Sequence, residues 1–292
     1  MPPLRLEQTA EEFVAEQGVP GVPAAIRWGR LLAPWLAPTI LIAAAGLREV
    51  RLPALAGLAV GFLALRAARS GAAVAWAATL PVAMTLAWGL AGQPAGAADG
   101  SDCANPLSPP ATWRVIEAGL AVVTFGLLAI VLRADTALVG FRRPSRMVGI
   151  LAAVGFVVAG PFAVAIGPAV AAPFFGSVSL DTGRIGAIVP ALAFALANGS
   201  MEELVYRGAL RAWLTPSIGP GAAIVVQAIA FGLAHGSGDD YVGPAAPVVL
   251  AMTAGGLVAG VIAVRTRSLA FPMALHAAFD IPLYYYWACS LP

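Results

Sequence analysis

Long apolar runs, broken by short polar or Pro/Gly-rich stretches, set the pattern of this chain. A helix needs about 20 apolar residues to cross the hydrocarbon core of a bilayer. Nine runs come near that length: 31–47, 52–65, 71–92, 115–132, 147–175, 190–214, 219–236, 242–264 and 268–289. The second is short. The fifth is long and carries Pro161, Pro168 and Pro173, which predicts a kink or an early end in an interfacial segment. No internal repeat accompanies the pattern. The expected fold is an all-α polytopic membrane protein with about eight to nine transmembrane helices.

Composition supports that class. Of 292 residues 60% are hydrophobic and 11% charged, and the mean hydropathy is +0.84. A soluble domain carries roughly 25% charge. The net charge is +2 and no charged block marks a terminus, so nucleic acid is not an expected partner. All 17 basic residues are arginine, which reads as the coding bias of a GC-rich, bacterial source. Residues 1–20 hold Glu7, Glu11, Glu12 and Glu16 and lack the apolar core of a secretory signal. Residues 1–30 therefore read as a solvated cytoplasmic segment.

The arginines also set an orientation, because cytoplasmic loops are enriched in basic residues. With the N-terminus inside and nine alternating spans, Arg5, Arg27, Arg30, Arg66, Arg69, Arg133, Arg142, Arg143, Arg146, Arg211, Arg265 and Arg267 lie inside. Arg48, Arg51, Arg114 and Arg184 lie outside, a ratio of 12 to 4. The expectation is an integral protein of a bacterial inner membrane, N-terminus in and C-terminus out. Residues 93–112 read as an external loop. Tyr284, Tyr285, Tyr286 and Trp287 fit an interfacial aromatic belt. Cys103 and Cys289 fall on the outer side, where a disulfide is permitted but not required.

Ionisable residues inside a span are costly and face a protein interior or a water cavity. Glu117 lies near the start of the fourth span, within reach of the interface, and Arg211 can snorkel to the inner surface. The others are Glu202, Glu203 and Arg207 on the sixth span, His235 on the seventh, and His276 with Asp280 on the ninth. The chain has only two histidines, and both lie in spans. Glu203 and Arg207 are one helical turn apart and can form a buried ion pair. Glu202 is rotated about 100° from Glu203 and is left to face a cavity. His235 lies roughly 10 Å beyond the centre of its span, an offset that a tilt or a late helix end can absorb. A single such residue is as readily interhelical glue as a catalyst. The whole set is expensive to desolvate without a use.

Three stretches then line up: "EELVYRG" from Glu202, "FGLAH" from Phe231 to His235, and "HAAFD" from His276 to Asp280. They resemble the motifs E-E-x-x-x-R, F-x-x-x-H and H-x-x-x-N/D of the CPBP (Abi) family of CAAX proteases and bacteriocin-processing enzymes. The resemblance covers about residues 185–290. It implies a CPBP-like catalytic membrane domain over 147–292, after an N-terminal transmembrane extension over 31–146. It also implies intramembrane peptide-bond hydrolysis, with Glu202 as general base, His235 as its partner in activating water, and His276 and Asp280 stabilising the oxyanion. Glu203, Arg207 and Phe231 would support them. Asp280 departs from the asparagine version of the third motif: when ionised it cannot donate, and it would instead orient His276.

Three other readings compete. Glu202, His235 and His276 are also a credible zinc set, although H-E-x-x-H is absent. The favoured expectation is hydrolysis with no cofactor, because carboxylate and imidazole suit acid–base work. Intramembrane Glu, His and Asp also mark transport and proton-relay paths, but these gather at one depth and no paired repeats exist. A non-catalytic scaffold or immunity factor would not need intact motifs. The expected partners are the lipid bilayer and a membrane-associated protein or peptide substrate, such as a sorting-tail protein, a leader peptide or an anchored regulator.

Overall fold

A computed structural model describes residues 37–38, 40–41, 50–68, 72–92, 103–105, 107–133, 139–140, 143–175, 185–235 and 245–289. The acidic N-terminal segment, most of the first run, most of the external loop and the Gly236–Tyr241 connection with its two aspartates lie outside them. The described part is helical throughout, with no strand among the described residues. Helix α1 spans Arg51–Ala67, α2 Ala72–Gly92, α3 Pro109–Leu132 and α4 Arg146–Phe175. Helix α5 spans Ile188–Glu202, and its path continues through a π-helical stretch, Glu203–Leu210, into α6, Arg211–His235. Helices α7 and α8 span Ala245–Thr266 and Ala270–Ala288.

Five helical segments among the described residues are long and apolar enough to cross a bilayer: Pro110–Leu132, Arg146–Ala169, Ile185–Pro216, Ile218–His235 and Ala246–Thr266. Outward-facing Leu127, Ile130, Val157, Val158 and Phe162 are exposed, as lipid-facing side chains of a membrane bundle must be. The protein is an integral membrane protein.

The fifth run neither ends early nor loses its helix at the prolines. Helix α4 continues through Pro161, Pro168 and Pro173 over 30 residues, because most of its neighbours are apolar and lipid leaves the backbone no partner other than itself. The break comes instead in α6. Gly219 has φ 79° and ψ 160°, between Pro216 and Pro220. A left-handed φ is open to glycine without steric cost, and the two prolines remove the N–H groups that would carry α-helical bonds through that turn. The change of direction lets the His235 end of α6 fold back toward α5.

A hydrophobic core runs through the bundle, from Leu58 and Phe62 of α1 through Phe125 of α3 to Trp213 of α6 and Leu269 before α8. Phe125 and Trp213 stack with ring centroids 5.4 Å apart. A second cluster closes one end. It gathers Cys103, Ala111, Phe194, Tyr284, Ala288 and Cys289. Cys103 and Cys289 form a disulfide with Cα atoms 5.3 Å apart. Tyr284 donates its hydroxyl hydrogen to the Cys103 carbonyl at 2.9 Å. With that hydrogen committed, the 2.6 Å contact to Ser108 places Ser108 as donor to Tyr284 Oη. The segment ahead of α3 is thus clamped to the end of α8 by one covalent bond and two hydrogen bonds.

Three expectations are corrected here. Tyr284 and Tyr286 are buried and face the protein, so they form no lipid-facing belt. Arg211 is buried and its Nε donates to the Arg207 carbonyl at 2.9 Å, so it does not snorkel. Glu117 is buried and bound to Arg114 at 2.6 Å; α3 begins at Pro109, two turns before it, which removes Glu117 from the interface. In each case an inward partner satisfies a polar group that the sequence pattern alone would send outward.

Replacing Cys103 and Cys289 together by serine is expected to destabilise the detergent-solubilised protein by about 2–4 kcal/mol. Thermal unfolding of the purified variant checks this. A midpoint equal to that of the parent would show that the two tyrosine hydrogen bonds suffice.

Candidate active site

Helices α5 and α8 run antiparallel, and each carries polar groups one turn apart. On α5 these are Asn198 and Glu202; on α8 they are His276 and Asp280. Residues four apart share a helix face, so two polar faces meet. The approach is close because of Gly199: a Cβ there would lie 3.2 Å from the His276 Cβ and from the Ala277 nitrogen. A larger side chain would push α8 and its histidine away from Glu202.

Glu202 ends α5 at the point where the π-helical turn begins. Its Oε2 lies 3.4 Å from His276 Nε2 and 3.8 Å from His235 Nε2. That oxygen is buried and accepts no hydrogen bond among the described residues. Glu203 Oε2 is likewise buried without a hydrogen bond; Glu202 Oε2 differs in facing the Nε2 atoms of two imidazoles, and carboxylate with imidazole is a pairing suited to acid–base work. The side chains of Glu202, His235 and His276 retain 13%, 24% and 15% of their exposure, while those of Glu203 and Arg207 retain 1% each. The three convergent groups are reachable and their supports are sealed.

The imidazoles are held from behind. His235 Nδ1 donates to the Phe231 carbonyl, one turn earlier, at 2.8 Å. A carbonyl can only accept, so in the neutral ring Nε2 presents its lone pair toward Glu202. His276 Nδ1 lies 3.0 Å from Glu203 Oε1. That same oxygen lies 3.1 Å from Arg207 Nη1. Glu203 therefore bridges Arg207 and His276. Arg207 in turn lies over the Phe231 ring, 4.3 Å from its centroid, a favourable place for a cation shielded from water. Phe231 also packs against the rings of His235 at 4.5 Å, Tyr206 at 5.2 Å and His276 at 6.0 Å. One aromatic side chain spaces the cluster.

Asp280 Oδ2 lies 3.7 Å from His276 Nε2 and accepts a hydrogen bond from Asn198 Nδ2 at 2.9 Å. Sequence reasoning missed Asn198. The available signal was its place one turn before Glu202 in an otherwise apolar run. The structure thus brings together Glu202, Glu203, Arg207, Phe231, His235, His276 and Asp280. Cys103 and Cys289 lie apart, at the clamped end.

The zinc reading would use Glu202 Oε2 and the Nε2 atoms of His235 and His276, which face one another at 3.8 Å and 3.4 Å. No group of three or more His, Cys, Asp or Glu among the described residues is arranged to hold a metal ion. The Nδ1 atoms of both imidazoles are committed to protein acceptors, and their Nε2 atoms face a carboxylate.

Residues 184–282 match the family model described as type II CAAX prenyl endopeptidase Rce1-like. The chain carries a CPBP-family domain. The matched residues hold all three motifs, from Glu202 to Asp280, and the match supports a membrane protease. Comparison with curated proteins and with solved structures finds no match to either.

Removing one member of a buried ion pair leaves the other charge uncompensated, at a cost of about 3–5 kcal/mol. Arg207→Ala is expected to lose stability on that scale, because Glu203 and Arg207 are sealed from solvent. Glu202→Gln, at a partly exposed and unsatisfied position, is expected to stay within about 1 kcal/mol of the parent. Parallel thermal unfolding of the two variants in detergent checks the contrast. Equal losses would contradict this division between support and reactive group.

Proposed function

We propose that the protein is an intramembrane endopeptidase of the glutamic type, in which Glu202 and His235 activate water. The observation that carries this reading is Glu202 Oε2, unsatisfied and placed between the Nε2 atoms of His235 and His276. Glu202 takes a proton from the attacking water while the His235 Nε2 lone pair orients it. The water oxygen bonds to the scissile carbonyl carbon, and the carbonyl oxygen becomes an oxyanion. His276, with Nδ1 fixed on Glu203, turns Nε2 toward that charge and in its cationic form offers an N–H donor. Asp280 Oδ2 lies 3.7 Å from that nitrogen and orients the ring. Glu202 then passes its proton to the departing amine as the C–N bond breaks. No step is routed through a metal.

The substrate class in this proposal is a membrane-associated protein or peptide, since the reactive groups lie within membrane helices. The matched family is described by its action on prenylated CAAX chains; the same site would accept an unlipidated segment that enters from the bilayer. The orientation is proposed with the disulfide end outward, because disulfides persist on the oxidising side of a bacterial inner membrane. Exposed Arg143, Arg146, Arg265 and Arg267 would then face the cytoplasm. Transport is less well supported, because the ionisable groups form one cluster and not a path.

The test uses purified protein in proteoliposomes with internally quenched peptides, both farnesylated and unlipidated. Glu202→Gln is expected to lower kcat/KM by roughly a hundred- to ten-thousand-fold and to leave unfolding unchanged. A strong chelator is expected to leave the parent's rate intact. Full activity of Glu202→Gln, or loss with chelator and recovery with zinc, would overturn the mechanism.

A further inference from the structure

We propose that Asn198 is a positioning residue of this site: its amide holds Asp280 against His276, so that Asn198 and Asp280 act as one unit across α5 and α8. The proposal rests on the hydrolytic reading given above. It adds a residue that lies in none of the three motifs.

The geometry is a four-cornered arrangement. Asn198 and Glu202 occupy successive turns of α5, and Asp280 and His276 occupy successive turns of α8. Across the gap, Asn198 Nδ2 meets Asp280 Oδ2 at 2.9 Å and Glu202 Oε2 meets His276 Nε2 at 3.4 Å. Along α8, Asp280 Oδ2 lies 3.7 Å from His276 Nε2. Both Asn198 and Asp280 are buried. The amide has one workable orientation, because its oxygen turned toward the carboxylate would repel it. Consistent with that orientation, Asn198 Oδ1 accepts no hydrogen bond among the described residues.

The chemistry of an amide suits the task. A buried carboxylate needs a donor. An arginine or lysine at 198 would supply one but would also neutralise Asp280 and cancel its pull on His276. Asparagine stabilises the carboxylate and leaves its charge in place. His276 then has an anchored carboxylate beside each nitrogen: Glu203, which Arg207 anchors, bonded to Nδ1, and Asp280, which Asn198 anchors, 3.7 Å from Nε2. The two anchors come from opposite sides of Glu202 on one continuous helical path.

The experiment exploits the fact that the chain has only two histidines. Selective ¹⁵N-histidine labelling of the full-length protein in detergent gives resonances from His235 and His276 alone, assigned with a His276→Gln variant. Asn198→Ala is expected to move the His276 ring resonances and to leave those of His235 in place. In the proteoliposome assay Asn198→Ala is expected to lower kcat about 10- to 100-fold with KM within about twofold, since no substrate contact is lost. Asn198→Asp sets two carboxylates side by side and is expected to be worse. The exchanged double variant Asn198→Asp/Asp280→Asn restores one amide and one carboxylate, and is expected to recover at least tenfold over Asn198→Asp. Unmoved His276 resonances in Asn198→Ala, or an exchanged variant no better than Asn198→Asp, would overturn the proposal. The resonance arm needs no turnover. A parent protein that cleaves no peptide therefore defeats the hydrolytic reading, while the His276 resonances still decide the role of Asn198.

Discussion

The cost of keeping ionised side chains away from water governs the centre of this protein. Glu203 and Arg207 are almost wholly sealed, and either one alone would strain the bundle. Together they lie one turn apart, share a single carboxylate oxygen with His276, and place the guanidinium on an aromatic face. That arrangement fixes the turn of helix on which Glu202 sits. The π-helical stretch begins at Glu203, so the local winding and the ion pair share the same residues. π-helical turns are rare and tend to mark functional positions.

Around that centre the rest of the bundle acts as a frame. Gly199 sets how near α8 can come to α5. The Gly219 break returns the end of α6 to the same depth, which answers the axial offset of His235. Helix α3, outside the matched domain, packs Phe125 on Trp213 and brings Arg114 over the Phe194 ring. The matched residues therefore hold the Glu202, His235 and His276 cluster, while helices that lack any motif supply part of its walls.

Much of this was legible in the sequence, for specific reasons. Apolar runs have to be helices in lipid, so 52–65 anticipates Arg51–Ala67 and 268–289 anticipates Ala270–Ala288 to within two residues. The Glu203–Arg207 spacing announces its ion pair because both partners are one turn apart in the chain. What stayed hidden depends on partners distant in sequence. Asn198 stands one turn before Glu202, but its acceptor lies 82 residues later. Glu203 reaching His276 could not be separated from Glu203 serving Arg207 alone. In sequence, an aromatic such as Tyr284 or an arginine such as Arg211 reads the same whether it turns outward or inward. The π-helical winding leaves no periodicity that a run of eight residues can reveal.

The clamp between the segment ahead of α3 and the end of α8 has a consequence for biogenesis. Its two cysteines are 186 residues apart, and one precedes α3 while the other follows α8. The bond can form only after every helix between them has been inserted and the two ends have met on the same side of the bilayer. Until then Ser108 and Tyr284 also lack each other. The covalent closure is thus a record of completed assembly: with one intervening helix missing, the two cysteines would face opposite sides of the bilayer and could not pair.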